Sequence, residues 1–346
     1  MKARKVDIKR LVRPSVRKLK AYEAREIPCR VKLDANESPY GFSLKAPRVE
    51  TNRYPDPEAL KLRRALARQM KVGLDSVLVG NGSDELIYYL VTTFGGPVLF
   101  PWPTFVMYGA IAQALGERAV SVPLDAGFGL DLRAMLGAVK KERPRLIFLA
   151  TPNNPTGNCL DAEGMLRIVE ASPGIVVIDE AYAPFASGRG MAPLLADYPN
   201  MVIMRTLSKV GLAALRVGYM AGSEEIISEV NKVRLPFNLN SYSQALAVEA
   251  LKDRGAMKGY IRDIASERER LMKALGEMDG IEPCPSEANF ILFRAGAGAK
   301  KVYDGLLRRG VLIRNMDGLI KGCLRVTVGT RRENSAFIKA LKETLK

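Results

Sequence analysis

The 346-residue chain contains no histidine. That absence excludes Ser-His-Asp chemistry and histidine-ligated metal sites, so any general base must be Lys, Tyr, Asp, Glu or Cys. No metal centre is expected. Cysteine is scarce as well: Cys29, Cys159, Cys284 and Cys323 stand far apart without a CxxC pair. That usage suits a reduced, cytoplasmic protein. No apolar run approaches the roughly 20 residues of a membrane span. The opening MKARKVDIKRLVR is basic but lacks the apolar stretch of a signal peptide.

Positive charge, by contrast, is plentiful, with a formal net charge of +16. Such a balance raises nucleic-acid binding as a hypothesis. The Lys and Arg residues, however, are spread through helix-like segments such as KLRRALARQMK and ERERLMKALGE and form no tail. A solvated basic surface is the expectation, and a field that steers anionic substrates is compatible with it.

Short apolar runs alternate with helical patterns over the first two thirds of the chain. The strand-like runs are SVLVG, PVLFP, AVSVPL, RLIFLA, GIVVIDEA, VIMRTLS and VGYMAG. Continuous apolar runs separated by amphipathic stretches predict an α/β fold, with a mostly parallel central sheet flanked by helices. From about residue 240 the texture changes to a long helical region, then ANFILFR, VLIR and CLRVTVG, then a last helix. The division expected is an N-terminal arm over 1–45 packed on the small domain, a large domain over 46–240, and a smaller α+β domain over 241–346.

Four segments fall where strands give way to helices, the place where open α/β sheets hold ligands. In VGNGSDELIYYL, Ser83 and Asp84 open a helix whose free N–H groups make either an anion site or a simple capped turn. In LIFLATPNNPTGN, Pro155 and Gly157 shape a turn that does not itself need two asparagines, so Asn153 or Asn154 is aimed at a ligand. In GIVVIDEAYAPF, Asp179 ends a buried strand as a metal ligand, a helix cap or a cofactor partner, with Tyr182 close by. In VIMRTLSKVGLAALRVGYMAG, Lys209 follows a strand, flanked by Thr206 and Ser208, with Arg216 downstream. Burial and a nearby cation disfavour an ammonium, so a lysine so placed serves as an amine nucleophile.

In this order the four segments resemble the fold type I enzymes of pyridoxal 5′-phosphate (PLP), within the aspartate-aminotransferase superfamily. The resemblance implies a large PLP-binding domain in which Lys209 is tether and base and Asp179 pairs with the pyridinium nitrogen. It gives Asn153 and Tyr182 to the ring oxygen, and surrounds the phosphate with Ser83, Asp84, Thr206, Ser208 and Arg216. Phe105, in PWPTFVMY, takes the position of the aromatic that stacks on the ring. One departure stands out: Lys209 and Arg216 are seven residues apart, where the family usually has eight, so the loop between them must be tighter.

VRPSVRKLKAYEAR, VKLDANESPYG and NRYPDPEALKLRRALA narrow the resemblance to the histidinol-phosphate aminotransferases. That family implies a homodimer in which Tyr54 of the partner subunit reaches the cofactor phosphate. It also implies that Arg314 and Arg325 bind the anionic end of the substrate, with Tyr22 and Asn36 near it. The reaction implied is transamination between histidinol phosphate and 2-oxoglutarate, in histidine biosynthesis. Threonine-phosphate decarboxylases and broad aromatic aminotransferases share much of the pattern and remain alternatives here.

Overall fold

The computed structural model describes residues 7–19, 27–45 and 47–346. Its strands are β1 (Val31–Leu33), β2 (Val77–Asn81), β3 (Val98–Trp102), β4 (Ala119–Pro123), β5 (Leu146–Ala150) and β6 (Ile175–Asp179). They continue with β7 (Met201–Thr206), β8 (Val217–Ala221), β9 (Glu282–Pro283), β10 (Phe290–Arg294), β11 (Val311–Asn315) and β12 (Cys323–Thr327). No helix among the described residues is long and apolar enough to cross a membrane.

The seven apolar runs of the first two thirds become one sheet, in the order β2-β8-β7-β6-β5-β3-β4. Every neighbouring pair is parallel except the two that involve β8. The central runs LIFLA and IVVID are buried almost throughout because helices cover both faces, which is why neither alternates in polarity. From β3 the chain steps outward to the edge strand β4, then returns to lay β5 on the other side of β3. Strand order therefore reverses between β3 and β5, and a crevice opens there beyond their carboxyl ends. Since β8 alone is reversed, the ends of β2, β3, β5, β6 and β7 and the beginning of β8 all meet along this edge.

The second sheet runs β1-β11-β12-β10-β9, with β1 parallel to β11 and the other pairs antiparallel. Successive residues of its strands point to opposite faces, and both faces of the central strands β10 and β12 are covered. Leu324 and Val326 face a core shared with Leu271, Leu275, Phe337 and Leu341 of the helices, while Arg325 between them faces the other way.

The domain division differs from expectation at both ends. The described part of 1–45 does not form one arm on the smaller domain: Val31–Leu33 enters its sheet and Asn36 bonds Thr327 and Asn289 there, but the rest is divided. Earlier residues lie on the large-domain helix Met107–Leu115, where Arg13 Nη2 donates to Leu115 O at 3.0 Å and Gln113 Nε2 to Ser15 O at 3.3 Å. Tyr40, Phe42 and Leu44 also pack against the large core. At the other end, helix Ser241–Lys252 buries Ala247 and Ala250 in that same core, so it belongs with the large domain. The junction falls inside the helix Arg254–Gly276, whose first half packs on one core and second half on the other.

Close backbone packing joins β8 to the turn after β2. A Cβ on Gly218 would lie 2.5 Å from the carbonyl carbon of Gly82 and 2.5 Å from the nitrogen of Ser83. Gly218→Ala is therefore expected to lower unfolding free energy by about 1–3 kcal/mol. Gly298→Ala, where a methyl meets nothing within 4 Å, should be near neutral. Equal effects of the two in denaturant titrations would contradict this packing.

Candidate active site

A cavity of about 680 Å³ opens at the strand-end crevice and extends to the second sheet. Its lining includes Lys32, Lys209, Arg216, Arg314 and Arg325 against the carboxylates Asp34, Asp84 and Asp179, an excess of positive charge. Such a lining favours anionic ligands.

The loop from β7 to β8 carries Lys209. Its shortness is absorbed by two single turns of 3₁₀ helix, Ser208–Val210 and Ala213–Leu215, separated by Gly211 at φ +99°. Arg216 closes the loop in a left-handed conformation, φ +54°, which turns its side chain back to the cavity. Its guanidinium lies 3.5 Å from Ser208 Oγ and 3.5 Å from Asp84 Oδ2. The Thr206 hydroxyl donates to Ser208 Oγ at 3.0 Å and accepts the Ser208 N–H at 3.1 Å. On the facing side, Gly82 at φ +87° leads into helix Ser83–Phe94, and a Cβ there would collide with Arg216. Helix N–H groups, two hydroxyls and a guanidinium thus converge on one spot, as an anion seat requires. Lys209 is half-buried, with Nζ 5.7 Å from the centre of the Tyr182 ring.

Asp179 ends β6 with 6% exposure. Its Oδ2 accepts the Tyr108 O–H at 2.6 Å and its Oδ1 accepts the Ala181 N–H at 3.0 Å. Burial pushes its pKa up to about 6, against the pull of those two bonds. Burial, with the neighbouring carboxylate, also holds the Tyr108 hydroxyl well above its ordinary value, so it stays a donor. Tyr108 stacks on Phe148 at 4.6 Å and meets Phe105 edge-on at 5.7 Å, while Phe105 itself faces the cavity. The Tyr182 hydroxyl accepts from Asn36 Nδ2 at 3.0 Å, and both residues line the cavity.

One assignment shifts by a residue. Asn153 is fully buried, with both N–H donors committed to Pro103 O at 2.9 Å and Thr156 Oγ1 at 2.8 Å. Its oxygen accepts from Thr104 Oγ1 at 2.7 Å, so the side chain is consumed in holding the turn. Asn154 lines the cavity instead. Its Oδ1 accepts from Arg325 Nη1 at 2.6 Å, and Arg325 Nη2 donates to Asp34 O at 3.0 Å. Arg325 is 8% exposed rather than solvent-facing, and Arg314 stands opposite it in strand register. No carboxylate among the described residues pairs with Arg314.

Several lining residues were not singled out by sequence reasoning, and three of them carry a polar, cationic or thioether group of note. They are Tyr108, one helical turn beyond Phe105, and Lys32 and Met316 of the smaller sheet. For Tyr108 the only signal was its spacing from Phe105. Tyr22 lies outside the described residues. Tyr54 does not line this cavity: it is 82% exposed and stacks on Phe237 at 4.6 Å.

Residues 21–341 match the family model for class I and II aminotransferases. A histidinol-phosphate aminotransferase 2 of Nitrosococcus oceani is 44% identical over 347 residues, 96% of each chain. The solved histidinol-phosphate aminotransferase of Sinorhizobium meliloti, in complex with pyridoxal-5′-phosphate, superposes with a TM-score of 0.85 at 28% identity, covering 96% of both chains. An L-threonine-O-3-phosphate decarboxylase of Porphyromonas gingivalis has a TM-score of 0.77 over 91% of this chain and 99% of its own. At 24% identity that likeness is one of fold alone.

The raised pKa of Asp179 has a consequence for stability. A folded value of about 6 against an ordinary 3.8 means its contribution is fully present below 3.8 and lost as pH rises through 6. Without bound ligand, Asp179→Asn should therefore stabilise the fold at pH 7 to 8, by about 2–3 kcal/mol. The gain should vanish towards pH 4. Urea titrations at pH 4, 6 and 8 read this directly, and a difference independent of pH would rule it out.

Proposed function

Because the chain belongs to the class I and II aminotransferases and to their histidinol-phosphate aminotransferase branch, we propose that it uses PLP to transfer an amino group between histidinol phosphate and 2-oxoglutarate. The observation that carries this reading is the convergence of Lys209, Asp179 and the Ser83–Ser208–Arg216 anion seat on one cavity. The residues fit the cofactor on their own chemistry. A buried carboxylate suits a ring-nitrogen proton, the anion seat suits a phosphate, and Phe105 offers a face for a planar ring.

When bound, PLP supplies an aldehyde that takes up the amino group and a ring that withdraws electrons from its Cα. Lys209 is both the covalent tether and the base that removes and returns the substrate Cα proton, a role open to an amine in a chain without histidine. Tyr182 and Asn154 orient the ring oxygen and the substrate. Thr206, Ser208, Ser83, Asp84 and Arg216 hold the phosphate, the first turn of helix Ser83–Phe94 through its N–H groups. Arg325 and Arg314 take the substrate's anionic end, phosphate in one half-reaction and carboxylate in the other; their like charges, paired in register, favour an anion between them. Asn36 supports Tyr182 from the substrate side.

A homodimer accompanies this reading, with Tyr54 of the partner subunit completing the phosphate seat. Its support is the exposed stack of Tyr54 on Phe237, with Leu235 and Tyr242 exposed close by in sequence. The large domain then spans about residue 47 to the middle of helix Arg254–Gly276, and the smaller one follows, joined by β1.

Borohydride reduction and peptide mapping should place the cofactor on Lys209; label on any other lysine overturns the site. Steady-state assays should show transamination of histidinol phosphate with 2-oxoglutarate, whereas CO₂ release from threonine phosphate would sink the substrate choice. Arg314→Ala should raise KM for the phosphorylated substrate roughly ten- to a hundred-fold, the worth of a charge-assisted hydrogen bond, with cofactor absorbance intact. Loss of absorbance would instead move Arg314 into the cofactor's shell.

A further inference from the structure

Tyr108 has no role in the assignments above, yet it makes the shortest side-chain bond to the one carboxylate buried in the cavity. Its O–H reaches Asp179 Oδ2 at 2.6 Å. Nothing else about its position requires a hydroxyl. The ring alone satisfies the stack on Phe148 and the edge contact with Phe105. A fully buried tyrosine hydroxyl is retained at a cost unless it has a partner, and here the partner is Asp179.

We propose that Tyr108 is a positioning residue, whose hydroxyl holds the Asp179 carboxylate as an acceptor for the ring-nitrogen proton of the cofactor. The proposal rests on the PLP reading above.

Asp179 has a limited set of neighbours able to keep it charged. From the helix after β3 comes Tyr108, and from its own turn the Ala181 N–H. Asp84, at the start of helix Ser83–Phe94, and Glu180, its neighbour in sequence, both act against ionisation. Glu180 is itself neutralised by Arg205 at 2.7 Å. Tyr182 and Lys209 also line the cavity, with the Lys209 amine 5.7 Å from the centre of the Tyr182 ring. With burial opposing the charge, the Tyr108 bond is the largest single influence favouring the carboxylate, ahead of the Ala181 N–H. Removing it should therefore let a proton onto Asp179 at a higher pH, and a protonated carboxyl cannot accept the ring-nitrogen proton. Cofactor affinity, not only turnover, carries the signature.

The test is Tyr108→Phe, with PLP affinity measured by equilibrium dialysis from pH 5.5 to 8.5. For the unaltered chain affinity should fall on the acid side with a midpoint near 6, the value to which Asp179 is pushed. In the variant the midpoint should rise by about one pH unit or more, the effect of losing a hydrogen bond to a charged group. Affinity at pH 6 should then drop at least about five-fold, with little change at pH 8.5. In an Asp179→Asn background the same substitution should add no further pH-dependent loss. An equal loss at every pH, or an undiminished loss in the Asp179→Asn background, would make Tyr108 a packing residue and overturn the proposal. Failure of the unaltered chain to bind PLP would overturn the reading beneath it as well, whereas binding with an unmoved profile overturns this proposal alone.

Discussion

Asp179 is a carboxylate taken out of water at the end of a strand that is buried on both faces. Burial alone would drive it to hold a proton, and its pKa of about 6 leaves it balanced near neutrality. The site is organised around that balance. Tyr108 and the Ala181 N–H hold its two oxygens, and Phe148 and Phe105 fix Tyr108. Glu180 carries a second buried charge beside it, neutralised by Arg205 from the neighbouring strand. A cationic partner in the cavity would complete the arrangement, and the pyridinium of PLP is the partner that the proposed function supplies.

The sheet topology decides where that carboxylate can be used. The crossing of the chain from β4 back to β5 opens the crevice, and the single reversed strand β8 returns Arg216 to the same edge as Thr206. Residues far apart in sequence thus meet without long loops. The tight connection after Lys209 shows what such short connections demand: two left-handed residues, Gly211 and Arg216, are needed to close it.

Much of this was legible in the sequence because parallel, doubly covered strands announce themselves as unbroken apolar runs, and the seven runs became the seven strands of the large sheet. Residues at strand ends were equally readable, since Lys209, Asp179 and Arg216 each follow, end or precede such a run. What escaped was anything decided by side-chain saturation or by contacts remote in sequence. Adjacent asparagines look alike in a string, yet Asn153 commits its amide to Pro103 and Thr156, leaving Asn154 to face the cavity. The helix Ser241–Lys252 carries a pattern that fits either domain, and only its burial of Ala247 and Ala250 assigns it. Tyr108 gave no cue beyond its spacing, because a tyrosine one turn from an aromatic is ordinary until its partner is known.

Arg325 joins the loop after β5, through Asn154, to the backbone of Asp34 in the segment leading from β1. The guanidinium proposed to grip the substrate is also a rivet between the two domains. Substrate grip and a contact between the two domains therefore share one side chain, so a change at Arg325 alters both together. A ligand that competes for that guanidinium would register as a mechanical event as well as an electrostatic one.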